Sequence, residues 1–355
     1  MKAKRFLIIT IASITVILGC IAATVFYLDP LFHYRGPREG FYYDLLESRE
    51  RLQNDGILRN FDYDAVITGS SMCQNFMTSE ADRLFGVRSV KTCFSGGTLK
   101  ETADNLRNAF YYNPHIRCVI RGIDQGMIIS DKDALNYDPS EYPKFTGRSA
   151  RFDDISYLLN KTVLYGYVIA MIDNRINGVP GGVKSFDEYD SYTAGAEGFG
   201  HDALVRLYGD LDYTGPGEEH ALTAEDIRMV RENTEQNITS LARENPDTVF
   251  YLFITPYSIF KWMDYSEEGN INRMIDAEKV MIEEILKCDN IRLFSFDDDP
   301  DIVCNPDNYS DKLHYSEEIN SLILQNMKNG KGLLTKDNYL ERLEKERSFF
   351  NTYDY

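Results

Sequence analysis

The chain has 355 residues, 43 % of them hydrophobic, and a formal net charge of −18. That apolar share supplies a sizeable core and is too high for a disordered chain. Nucleic-acid binding needs clustered Lys and Arg to replace phosphate counterions; no such cluster occurs, and the acidity disfavours a polyanionic substrate unless a local basic patch overrides it.

Phe6 to Leu28 is a run of 23 residues without a charge. As a helix it is long enough for about 30 Å of hydrocarbon. Lys2, Lys4 and Arg5 precede it, and the positive-inside rule keeps that end cytoplasmic and the remainder extracytoplasmic. A cleaved signal peptide has an apolar core of roughly 7–15 residues ending in small side chains. Here the run continues through Val25, Phe26, Tyr27 and Leu28. Lipidation at Cys20 is a second alternative, poorly served by Leu18 and by the apolar continuation. The preferred reading is an uncleaved single-pass anchor over residues 1–28, meeting the bilayer through residues 6–28. Residues 29–60 then form a linker with a short helix over Tyr42–Gln53.

The α/β pattern begins at Asp64–Thr68, a short apolar run ending in Gly69, as a buried parallel strand does. Met72–Phe85 has helical spacing, Val87–Cys93 reads as a second strand, Thr98–Tyr112 as a helix and Arg117–Ile120 as a third strand. Regularity then breaks. Asp131–Gly147 reads as loop, Asp153–Ile176 as helix, and Asn177–His220 as a loop rich in Gly, Asp and Tyr. Loops of that length are functional or disordered, so residues 131–220 are read as an insertion over the site. Thr223–Asn245 resumes as a helix with Thr223 as N-cap. The strand Thr248–Ile254, the helix Ile271–Lys287, the last strand Ile291–Phe296 and the closing helix Ser316–Met327 follow. The main domain is thus residues 61–330, with a charged, solvated helix at Tyr339–Arg347 in a tail over 331–355. Strands alternating with helices predict a parallel sheet covered on both faces, with ligands at the strands' carboxyl ends.

Two segments carry chemistry. Gly69-Ser70-Ser71 follows the first strand, where a serine hydroxyl can stand at the sheet edge beside backbone amides; a plain helix cap is the alternative. Asp311-Lys312-Leu313-His314 lies on a loop before the closing helix. A serine hydroxyl needs a base to become a nucleophile, an imidazole is such a base, and a carboxylate fixes its tautomer. The alternative is a loop Asp with a half-buried His.

Taken together, Gly69-Ser70-Ser71 after the first strand and Asp311-x-x-His314 before the last helix resemble the SGNH/GDSL hydrolase family, over a core from about Asp64 to Met327. Ser70 stands where that family usually has Asp, a change associated with its envelope-acylation branch. The resemblance implies a flavodoxin-like three-layer α/β/α sandwich with a central parallel sheet, behind one transmembrane helix. It implies Ser71, His314 and Asp311 as catalytic triad, with no cofactor and no metal. It places oxyanion donors at the amides of Ser71 and Gly96, the latter from Ser95-Gly96-Gly97. The family's third block is Gly-x-Asn-Asp, and here the stretch is Gly122-Ile123-Asp124-Gln125. An ionised Asp124 cannot donate, so Gln125 substitutes, Asp124 binds something else, or the hole rests on amides alone.

The implied activity is acyl-ester hydrolysis or O-acyl transfer on an envelope glycan or a teichoic-acid-like polymer, with a membrane O-acyltransferase as partner. The charge tilts the expectation toward the more neutral glycan. A non-catalytic envelope scaffold or glycan-binding protein is the alternative, favoured by Asp124. Lesser candidates are Tyr257, Trp262 and His201 as substrate contacts, with packing as the rival account of the two aromatics. His220, also in the insertion, is a further candidate substrate contact; structural or surface roles are the default for all the histidines outside the Asp-x-x-His segment, His33 and His115 included. Asp297-Asp298-Asp299-Pro300-Asp301 is read as a solvated acidic turn rather than a calcium loop. Of the six cysteines five lie beyond the anchor, with no CxxC pair, leaving one or two disulfides or simple buried thiols open.

Overall fold

The computed structural model describes residues 2–45, 49–138, 142–147, 154–188, 198–209 and 211–355. The chain forms two compact units, one of Met1–Phe61 with Pro139–Ser185, the other of Asp62–Asp138 with Phe186–Tyr355. The stretch 131–220 is therefore divided between them.

The first unit opens with the helix Lys2–Leu28, whose stretch Ala3–Leu28 has a mean hydropathy of 2.6 and is apolar enough to span a membrane. Asp29, at a φ of 46°, ends it. The Asp29 carboxylate accepts the amides of His33, Tyr34 and Arg35 at 2.8–2.9 Å, which turns the chain sharply. The helix expected at Tyr42–Gln53 is instead a two-residue strand, Tyr42–Tyr43, paired in parallel with Gly182–Val183, and a later helix, Glu50–Asn60. Gly56 in that helix is required by contact: a Cβ would lie 1.9 Å from the Leu31 carbonyl oxygen.

The second unit is built on a six-stranded sheet. Its strands are β1 (Ala65–Thr68), β2 (Ser89–Lys91), β3 (Cys118–Ile123), β4 (Val249–Ile254), β5 (Ile291–Phe294) and β6 (Leu333–Leu334). Their order is β2-β1-β3-β4-β5-β6, all parallel except β6, which runs antiparallel to β5. The sheet is thus mixed, mostly parallel, with a doubly wound strand order. Registration aligns Val90, Val66, Val119, Phe250 and Ile291 in one buried row across five strands. Every residue of β1 and β3 is buried, as strands covered on both faces must be. Within β3, buried Arg121 donates to the Asn237 and Leu99 carbonyls and to Thr102 Oγ1, tying the sheet to its helices. Burial, helped by the nearby Arg107 charge, lowers its pKa to about 9.

Several expectations are corrected. Met72–Phe85 is not one helix but a single 3₁₀ turn, Ser71–Cys73, followed by the helix Thr78–Phe85. Between them buried Lys91 donates to the carbonyls of Gln74 and Phe76, groups that a continuous helix would have paired internally. Ile291–Phe294 is not the last strand, since Leu333–Leu334 adds an edge. The C-terminal helix, Tyr339–Thr352, is not merely solvated: Leu343, Glu346 and Phe350 are buried. The acidic turn is not all solvated either, because Asp297 is fully buried. Among the described residues no cysteine is joined in a disulfide.

Candidate active site

Ser71 follows β1 at its carboxyl end. Gly69 makes the turn, with a φ of 146°, and a Cβ there would lie 2.5 Å from Cys73 Sγ. Ser70 caps the 3₁₀ turn by accepting the Met72 amide at 3.2 Å, which leaves the Ser71 hydroxyl uninvolved in capping. The turn is held from two sides: Asn320 of the helix Glu317–Asn329 donates to the Met72 carbonyl, and Gln74 Nε2 donates to Ser95 Oγ at 2.9 Å.

The loop carrying Asp311 and His314 is closed at its base by a bridge between Tyr309 and Tyr315 and by Ser310 N donating to His314 O at 2.9 Å. Tyr309 anchors it from below, donating to the Pro256 carbonyl after β4. Asp311 Oδ1 accepts the amides of Leu313 and His314 at 2.7 and 2.8 Å. Its Oδ2 lies 2.6 Å from His314 Nδ1. A carboxylate only accepts, so Nδ1 carries the proton and Nε2 is left as an acceptor. That Nε2 lies 2.8 Å from Ser71 Oγ. Burial pushes the Asp311 pKa up, but its bonds from the His314 ring and the two amides outweigh this and hold it below the usual carboxylate range. A serine hydroxyl, an imidazole and a carboxylate are therefore joined in one relay across 243 residues of sequence.

The other expected residues divide. Gly96 follows β2 with a φ of 58°, and a Cβ there would lie 3.0 Å from Asn136 Nδ2, so the Asn136 amide closes over it. Asp124, at the end of β3, is buried; burial raises its pKa against hydrogen bonds from Ser70 and Thr255. Its Oδ1 has no protein partner among the described residues. Gln125 lies against the Asp297 carboxyl. Tyr257 is buried, its hydroxyl 3.5 Å from the Gly126 amide. Trp262 is fully buried in the helix Ile259–Glu267 and stacked on Phe350 at 3.8 Å, so neither aromatic presents an open face to a sugar. That corrects the expected substrate contact of both: each ring is part of the core. His201 is exposed and begins the helix His201–Tyr208. Gly200 N donates to Tyr309 O at 3.1 Å, so this helix borders the Asp311–His314 loop.

Sequence reading missed Lys312, whose Nζ lies 2.5 Å from Asp264 Oδ1 and 5.0 Å from the Tyr208 ring centre. Its carbonyl accepts from Ser258 Oγ at 2.7 Å. These bonds fix the loop between its two chemical residues. Its place inside Asp-x-x-His was the available signal. Among the described residues no three His, Cys, Asp or Glu side chains converge as metal ligands would.

No family model and no curated protein matches the chain. A solved structure from Streptococcus pneumonia, described as "a putative platelet activating factor", is similar over 80% of this chain and 92% of its own, at 12% identity and a TM-score of 0.42.

Proposed function

We propose that this chain is a serine-dependent acyl-ester hydrolase or O-acyltransferase of SGNH type, its sheet forming the centre of a three-layer α/β/α sandwich. One observation carries the reading: the Ser71–His314–Asp311 relay, with heavy-atom separations of 2.8 and 2.6 Å. Ser71 Oγ attacks an acyl carbonyl while its proton passes to His314 Nε2. Asp311 orients the ring and stabilises the imidazolium. The tetrahedral oxyanion collects donors from the amides of Ser71 and Gly96. Since the Ser71 turn is a single 3₁₀ turn, these amides act as individual donors rather than through the dipole of a long helix. Collapse expels the alcohol, which takes its proton from His314. The acyl group then passes from Ser71 to water or to a glycan hydroxyl, with His314 taking the attacking hydroxyl's proton and returning it to Ser71 Oγ as the acyl bond breaks.

Asp124 bears on the hole. An ionised carboxylate there opposes the developing charge, whereas burial favours the neutral acid, which can donate. The N-terminal helix, anchored in a bilayer through residues 6–28 with the remainder extracytoplasmic, brings the site to a surface-bound polymer, a polysaccharide before a teichoic-acid-like chain on grounds of charge. A membrane O-acyltransferase is the natural acyl donor partner for the transfer branch.

A fluorophosphonate probe and p-nitrophenyl acetate test this on the full chain. Covalent labelling and turnover by the wild type, both absent in Ser71→Ala, are expected. A wild type that neither labels nor turns over, yet binds glycan, would establish the second reading, a non-catalytic scaffold, which the Asp124 carboxyl in place of an amide donor favours.

A further inference from the structure

The first unit contains a second apolar helical run, Asp154–Ile176, with a mean hydropathy of 1.3. Its two faces differ in role. Tyr157, Val163, Tyr167, Val168 and Met171 are buried in the unit. On the other face Tyr165, Ile169, Ile172 and Ile176 follow one another at i, i+4, i+7 and i+11, and they are 64, 47, 38 and 77 % exposed. A solvated helix carries polar residues on its outward stripe; this one carries a tyrosine and three isoleucines.

The neighbouring residues indicate what covers that stripe. The run packs on the end of the N-terminal helix: Tyr157 OH donates to Asp29 Oδ1 at 2.8 Å, directly after Leu28. That end has the composition of a membrane–water boundary. Phe26 and Tyr27 project outward, and Arg35 and Arg38 lie over their rings at 4.4 Å each. Arg35 also donates to the Phe26 carbonyl at 2.6 Å. Aromatics with arginines reaching along them mark the headgroup level. The run itself is not a second crossing. Near its middle, Tyr167 on the buried face meets the Arg49 guanidinium at 5.4 Å, a charge that has no place in hydrocarbon.

We infer that the outward face of the Asp154–Ile176 run is a lipid-binding surface, lying flat at the boundary where the N-terminal helix leaves the bilayer. Helices of this kind seat their apolar stripe among headgroups and upper acyl chains. The anchor is then a two-point contact, a spanning helix and an interfacial one, which restricts tilting of the unit on the membrane.

The test uses the full chain in lipid nanodiscs. Trp262 is the only tryptophan and is buried, so its emission serves as an internal reference. Tyr165→Trp and Ile172→Trp each add one reporter on the exposed stripe; the first is a conservative change that leaves packing intact. Bromolipid should abolish the added emission, with bromines near the headgroup end quenching more than bromines at the chain end, and iodide should leave it unchanged. Quenching by iodide alone would overturn the inference in favour of a water-facing helix. Insensitivity to both quenchers would overturn it in favour of a protein cover, such as a second copy. Stronger quenching by the deeper bromines would overturn it in favour of a crossing helix.

Discussion

Two carboxyl groups beyond β5 have opposite electrostatic fates. Asp311 receives two backbone amides and an imidazole N–H, and its pKa is held below the ordinary range. Asp297 is completely buried, and its pKa is pushed up to about 8 by burial and the neighbouring Asp298, against a bond from Ser295. Glu278 and Glu346 are buried with it and raised in the same direction. Arg342, whose charge acts on Asp297 and Glu346, forms its ion pair with Asp298. The difference lies in donors rather than in depth alone. A buried carboxyl stays charged when hydrogen bonds replace its hydration, and keeps its proton when they do not. The molecule thus holds one carboxylate ready to stabilise a cation and a cluster of acids as neutral packing.

The largest test of that contrast removes the charge from Asp311 and keeps its shape. Asp311→Asn should lower kcat/KM toward a p-nitrophenyl ester by a factor on the order of 10⁴, because the amide either reverses the His314 tautomer or fails to stabilise the imidazolium. Stability should change far less than activity. An Asn variant with near wild-type turnover would mean that Asp311 only shapes its loop.

The origin of the contrast also shows what could be read from sequence. The meeting of Ser71 with Asp311 and His314 was legible because a serine after the first strand and an Asp-x-x-His before the closing helix together resemble a family pattern, and the α/β alternation says where that strand and helix are. Strands β1, β3, β4 and β5 were legible as short apolar runs, and β2 as a strand candidate despite Arg88 and Lys91. The segment after Ser71 was not, because Met72–Phe85 has helical spacing throughout, and only the distant Lys91 side chain shows why it breaks. β6 was invisible, being two residues long. A run of aspartates looks hydrophilic, so the sequence alone places Asp297 in solvent; its burial depends on helices contributed from elsewhere in the chain. For the same reason the C-terminal helix, charged by composition, hid the buried Phe350.

That helix sets the next test. Phe350 stacks on Trp262 with rings 3.8 Å apart and 10° from parallel, in the core beside the acid cluster. Trp262→Ala should destabilise the second unit by about 3–5 kcal/mol, measured by chemical denaturation, since a fully buried ring leaves a cavity. Trp262→Phe should recover most of the loss. A Trp262→Ala variant with unchanged stability but weakened glycan binding would restore the sugar-stacking role that burial argues against.

The smallest expected effect sharpens the comparison most directly. An acid whose pKa is raised on folding keeps a proton that the unfolded chain releases. Stability therefore falls as pH rises from the unfolded value of 3.8 toward the folded value of about 8. Asp311 has the opposite sign: its contribution is present above the unfolded value and fades as acid protonates it in the folded state. Asp297→Asn substitutes a neutral group that keeps hydrogen-bonding capacity. Relative to wild type its stability should rise steadily as pH goes from 4 to 8, by at least about 1 kcal/mol, a shift of at least about 2–4 °C in Tm. Asp311→Asn should show no such gain at pH 8. Parallel pH–stability curves for wild type and Asp297→Asn would mean that the cluster is charged in the native state, and that donors or ions other than Arg342 replace its hydration.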